Sequence, residues 1–183
     1  MNKQQAARRA QRFAILADLH PTREDTMHKI TPFLWFDNQA EEAVNFYTSV
    51  FTNAEILDIS RYGEAGPGPQ GAVMTVSFRL EEQRFVALNG GPLFHFTPAI
   101  SFMVECRSQE EVDRLWERLS AGGEPGQCGW LTDKFGISWQ IVPTLLMELL
   151  MSDDPERTKR VMQAMFTMTK LDLAALQAAY DGE

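Results

Sequence analysis

The stretch ITPFLWFDNQAEEAVNFYTSV, residues 30–50, joins an apolar aromatic run to an amphipathic one. ITPFLWFD is apolar on both faces, which predicts a strand covered on both sides. Asp37 or Asn38 then offers an N-cap. Ala43, Phe46, Tyr47 and Val50 follow at i, i+3, i+4 and i+7, the stripe of a helix lying on a sheet. A second stretch, AISFMVECRSQEEVDRLWERL at 99–119, has the same plan. Ser108 and Glu111 have the spacing of a capping box, and Val112, Leu115, Trp116 and Leu119 repeat the stripe. Glu110-Glu111-Val112 lies 69 positions after Glu41-Glu42-Ala43, and the same shift carries Phe33 to Phe102 and Val50 to Leu119. Helix periodicity alone would explain the helical matches. The strands recurring in the same register argue for an internal repeat.

Around these stretches the remaining elements fall into place. Ile56–Tyr62, Val73–Leu80 and Arg84–Leu88 read as strands, the last two forming a hairpin through Glu81-Glu82. GEAGPGPQG, residues 63–71, is a loop by composition. In the second half, Gly122-Gly123 stops the helix, and short strands near Gly126–Cys128 and Gly129–Thr132 lead into ISWQIVP. The prediction is an α+β fold: two tandem βαβββ modules forming a curved mixed sheet around a cavity, plus C-terminal helices. The modules span residues 29–92 and 98–143, and the helical extension spans 144–181. In that extension Asp154-Pro155 and Asp172 open helices, with Val161, Met165 and Met168 on one face and Leu173, Leu176 and Tyr180 on another.

Composition narrows the function classes. A chain of 183 residues, 44% hydrophobic, can bury a core, which argues against disorder. The formal charge of −8 is dispersed, whereas nucleic acids and anionic membranes require basic stripes, so neither is expected as a partner. Cys106 and Cys128 form no C-x-x-C pair, and no apolar run near the start is long enough for a secretory core. A cytoplasmic, reduced setting is expected. Residues 1–28 carry Arg8, Arg9 and Arg12 and break at Pro21. They read as a loose extension, with a docking helix, a mitochondrial-type presequence and a true start at Met27 as alternatives.

ITPFLWFDNQAEEAVNFYTSVF, RYGEAGPGPQGAVMTVSF, CGWLTDKFGISWQIVP and RVMQAMFTMTKLDLAALQAAY resemble the PhnB-like group, whose members carry the name 3-demethylubiquinone 3-methyltransferase. The group belongs to the vicinal oxygen chelate superfamily, with glyoxalase, bleomycin-resistance proteins and extradiol dioxygenases. The resemblance covers 29–181 and implies paired βαβββ modules and a homodimer. Metal-using members place His or Glu ligands on the first and last strand of each module. By strand order those positions fall near Ile30, Val86, Ala99 and Gln140, where the only side-chain donor is a neutral amide. A divalent ion needs several imidazole or carboxylate donors, so no metal and no cofactor are expected. His20, His28 and His95 read as solvated imidazoles, although His28 could be a shifted ligand. The glycines of GEAGPGPQG and NGGP join strands to strands, without the strand–turn–helix context of an S-adenosylmethionine site.

Five residues are candidates for holding a ligand. Gln140, between Trp139 and Ile141, must be hydrogen-bonded or cost about 1–3 kcal/mol; it either orients a ligand or is satisfied within the sheet. Alternation puts Ser138 on its face. Trp130 could rim a cavity or sit in the core. Asn89 could face a cavity mouth or cap a turn. Glu105 could be a base if desolvated. The cysteines have no nearby base in sequence and read as inert. No catalytic residue is assigned. The expected function is binding of a small organic ligand in a metal-free cavity; the alternative is an isomerase, lyase, dioxygenase or methyltransferase of the superfamily.

Overall fold

The computed structural model describes residues 29–64 and 68–183. The N-terminal extension, His20 and His28 lie outside the described residues, as does the centre of the GEAGPGPQG loop. The chain divides into Met1–Thr31 and Pro32–Glu183; the elements that follow belong to the second unit.

The first module is β1 (Phe33–Phe36), α1 (Ala40–Val50), β2 (Ala54–Arg61), β3 (Val73–Leu80) and β4 (Gln83–Asn89). The second is β5 (Ser101–Cys106), α2 (Gln109–Ser120), β6 (Glu124–Pro125), β7 (Trp130–Thr132) and β8 (Ser138–Pro143). Helices α3 (Thr144–Leu150), α4 (Pro155–Phe166) and α5 (Leu173–Asp181) complete the chain. Each module builds its own four-stranded mixed sheet, ordered β1-β4-β3-β2 and β5-β8-β7-β6. In both, the first strand runs parallel to the last, with Phe33 opposite Val86 and Phe102 opposite Trp139. The duplication is therefore topological, but it gives two separate sheets rather than one continuous curved one.

The 69-residue shift holds for the helices and slips in the strands. Ala43 and Val112, and Val50 and Leu119, are all buried against their sheets. Phe33, however, is 60% exposed while Phe102 packs against the core. The core-facing residues of β1 are Leu34 and Phe36, so the strands are offset by one residue relative to the helices. A one-residue slip exchanges the two faces of a strand. It also corrects the reading of β1 as covered on both sides: its outward face holds exposed Phe33 and half-buried Trp35.

Local signals explain most boundaries. Ser108 caps α2, accepting from the Glu111 amide, while the Glu111 carboxylate accepts from Arg107 rather than from Ser108 itself. Asp154 and Asp172 cap α4 and α5 as expected. Neither Asp37 nor Asn38 caps α1: the N-cap position is Gln39, without a side-chain bond, and the Ala40 amide donates instead to Asn89 Oδ1 at 2.8 Å. The strands expected at 126–128 and 129–132 are Glu124–Pro125 and Trp130–Thr132. Between them Cys128 and Gly129 adopt left-handed φ of 58° and 82°, which no strand accommodates.

Candidate functional site

Pairing register assembles the outward face of the second sheet. Gln140 on β8 lies opposite Trp130 on β7 and Met103 on β5. One step along, Ser138 lies opposite Thr132 and Ser101; beyond Gln140, Val142 lies opposite Glu105. Trp139 and Ile141 point the other way into the core. Met103 is 50% exposed, Trp130 and Gln140 are half-buried, Glu105 is exposed and Ser138 is buried. Gln140 Nε2 donates to Ser101 Oγ at 2.8 Å. Its Oε1 has no protein donor among the described residues and is not a buried orphan, so it is open to an incoming group.

Of the five candidates, Trp130, Ser138, Gln140 and Glu105 thus share one face. Asn89 does not join them. It ends β4 in the other sheet, accepting from Ala40 N and donating to Val73 O at 3.1 Å, so both ends of its amide are committed. Ser101, Met103 and Thr132 belong to the face and were not singled out from the sequence. Alternation along β5 would have found the first two, since they flank Phe102.

The four positions assigned to metal ligands carry one polar side chain between them, that of Gln140. Ile30 and Ala99 precede their strands, which begin at Phe33 and Ser101. Val86 faces outward beside Phe33 on the first sheet, and Gln140 lies on the second. Among the described residues no three His, Cys, Asp or Glu side chains are grouped to hold a metal ion. One neutral amide among aliphatic side chains does not supply the imidazole or carboxylate donors that a divalent ion needs.

Among the described residues, the one buried carboxylate lies on the helix side. Asp133, 3% exposed, follows β7 and accepts from Tyr47 Oη and Trp139 Nε1, each at 2.8 Å. It also accepts from the Phe135 and Ile137 amides at 2.9 and 3.0 Å. Tyr47 comes from α1, so the carboxylate joins the modules. Burial pushes the Asp133 carboxyl above its ordinary range, outweighing the four donors that pull it down. Burial, and then the charge of Asp133, raises the Tyr47 hydroxyl well above its usual value. A carboxylate so enclosed has no room for a substrate. Burial likewise lifts the Cys106 thiol to about 12, which keeps it unreactive. Both cysteines are free. A separate open cleft of about 620 Å³ lies along α4, lined by Leu150, Met162 and Phe166 with Ser152, Thr158 and Gln163.

Two four-stranded mixed sheets with parallel first and last strands, each backed by a helix, define a duplicated βαβββ fold. The chain belongs to the 3-demethylubiquinone-9 3-methyltransferase family, whose model matches residues 28–142. That match takes in both modules and stops before α3. The PhnB protein of Bacillus cereus, described as a 3-demethylubiquinone-9 3-methyltransferase, is 42% identical, with a TM-score of 0.59; the match covers 64% of this chain and all of that one. A Pseudomonas aeruginosa protein of solved structure is 21% identical with a TM-score of 0.53, covering 62% of this chain and 96% of that one, and shares the fold. A glyoxylase/bleomycin resistance protein/dioxygenase domain from Frankia sp. EAN1pec is 18% identical with a TM-score of 0.44, covering 64% of this chain and 92% of that one. No curated protein matches.

Proposed function

We propose that this protein binds a small, planar organic molecule carrying a hydrogen-bond donor on the outward face of the second sheet, without a divalent metal. The observation that carries the reading is the row Trp130–Gln140–Met103. An indole and a thioether offer apolar, polarisable surface on either side of an amide oxygen that has no protein donor among the described residues. Ser101 fixes the amide, so its oxygen is held in place before the ligand arrives. Ser138 and Thr132 supply hydroxyls on the same face, and Glu105 marks its acidic end. Asn89 belongs to the scaffold in this reading.

The family name raises a second reading, transfer of a methyl group. Against it stand the glycines: Gly90-Gly91 follow β4 and Gly68 and Gly71 precede β3, so none opens a helix whose amides could hold a cofactor. The organisation follows the same logic, with modules at 29–92 and 98–143, a helical extension at 144–181, and a homodimer in the cytoplasm. Exposed Met151, Met162 and Phe166 on the extension supply the apolar surface for that dimer. No described helix is long and apolar enough to cross a membrane.

A thermal-shift screen of planar aromatic amides and amines tests the reading, with hits lost in Trp130→Ala and Gln140→Ala. Tight stoichiometric uptake of Ni, Zn, Mn or Fe by elemental analysis would sink the metal-free part. Heat on titrating millimolar S-adenosylmethionine would favour the methyltransferase instead.

A further inference from the structure

The turn that presents Trp130 is unusual, and the C-terminal extension holds it. Gly126 N donates to Trp130 O at 2.7 Å and Trp130 N to Gln127 O at 3.0 Å, closing the loop between β6 and β7. Inside it Cys128 and Gly129 are consecutive left-handed residues, a conformation that costs free energy at any residue with a Cβ. Such a turn persists only where its surroundings over-determine it. The surroundings here are the α4–α5 connection. Cys128 N donates to Met168 O and Gly129 N to Thr169 O, both at 2.8 Å. Leu171, fully buried, packs so closely that a Cβ added at Gly129 would lie 3.0 Å from its Cδ1 and 2.7 Å from Ile141 O. On its far side the turn grips β8, because Ile141 N donates to Gly129 O at 2.8 Å, one residue from Gln140.

The connection is itself anchored from α2. Gln109 Nε2 donates to Leu171 O at 3.2 Å, while Gln109 Oε1 accepts from Leu173 N at 2.8 Å. One side chain therefore clamps the backbone on both sides of Asp172. Lys170 and Asp113 pair beside it.

We propose that Met168–Leu173 is a strap that fixes the Gln127–Gly129 turn and so sets Trp130 opposite Gln140, with Gln109 as the positioning residue. The strap lies beyond residue 142, where the family match ends, so it is an addition to the two-module plan. Its consequence for binding rests on the ligand reading above; its effect on the turn does not.

The test uses the full chain and two variants, Gln109→Ala and Gln109→Glu. Gln109→Glu keeps the acceptor for Leu173 N and loses the donor to Leu171 O. Amide exchange is followed by NMR at Cys128 and Gly129, together with the four indole N–H resonances. Protection at both amides is expected to fall at least tenfold in Gln109→Ala, with Gln109→Glu between it and the unmodified chain. The Trp130 indole resonance should shift while those of Trp35 and Trp139 stay in place. Equal protection in all three proteins, or movement of every indole alike, overturns the strap. The dye 1-anilinonaphthalene-8-sulfonate serves as the binding probe, and its affinity should weaken several-fold in Gln109→Ala. If Trp130→Ala leaves dye affinity unchanged, the ligand reading fails, while exchange and indole shifts still decide the strap.

Discussion

Asn89 and Gln140 are both carboxamides on the last strand of their module, and they are used in opposite ways. Asn89 spends both ends of its side chain on the scaffold, capping α1 through Ala40 N and tying β4 to β3 at Val73 O. Gln140 spends one end on Ser101, and its oxygen meets no donor among the described residues. The contrast extends to the two sides of the second sheet. On the helix side Asp133 is enclosed by four donors. On the outward side Met103 and Glu105 are exposed and Trp130 is only partly covered. A polar group with all its bonds made stabilises a fold and is unavailable for chemistry. A polar group with one bond made is oriented, and still has something to offer.

Substitutions sharpen this division. Asp133→Ala should have the largest effect, because it orphans Tyr47 Oη, Trp139 Nε1 and two backbone amides at once. A loss of at least about 3 kcal/mol in urea unfolding is expected. Asn89→Ala removes a helix cap and a strand tie, and should cost about 1–2 kcal/mol by the same measurement. Gln140→Ala should change stability by less than about 1 kcal/mol, since its amide is partly solvated and makes one bond. If it costs more than Asn89→Ala, the division between scaffold and site is wrong.

Acidity gives a finer test. Asp133 has a folded pKa raised above its unfolded value near 3.8, so the native state binds its proton more tightly. Its ionised form therefore opposes folding at neutral pH. That cost is relieved as pH falls through the raised folded value and is gone below the unfolded one. The unmodified chain should thus gain stability relative to Asp133→Asn as pH drops from 7 toward 4. A gap independent of pH would mean that the four donors offset the burial.

Much of this fold was legible because its cues are local. The Ala43–Val50 and Val112–Leu119 stripes, the Ser108, Asp154 and Asp172 caps and the Glu81-Glu82 turn each act within a few residues. The one-residue slip between the repeated strands was not legible, since β1 is apolar at core-facing and outward positions alike. The cap of α1 was hidden for a different reason: Asn89 Oδ1 reaches Ala40 N from 49 residues away. Of the candidate site, alternation put Ser138 beside Gln140. The alignment of Trp130 and Met103 across it depended on pairing register, which no spacing along the chain encodes.

By itself the sequence determined the two-module plan, the Ser108, Asp154 and Asp172 caps and the lack of charged side chains at Ile30, Val86, Ala99 and Gln140. Periodicity and residue chemistry are properties of the chain before it folds. Tertiary structure alone decided which face of each strand turns outward, that Asp133 is shut in with Tyr47, and that the C-terminal connection grips the Cys128–Gly129 turn. Those outcomes depend on hydrogen bonds between segments far apart in the chain, and such bonds exist only once the segments have met.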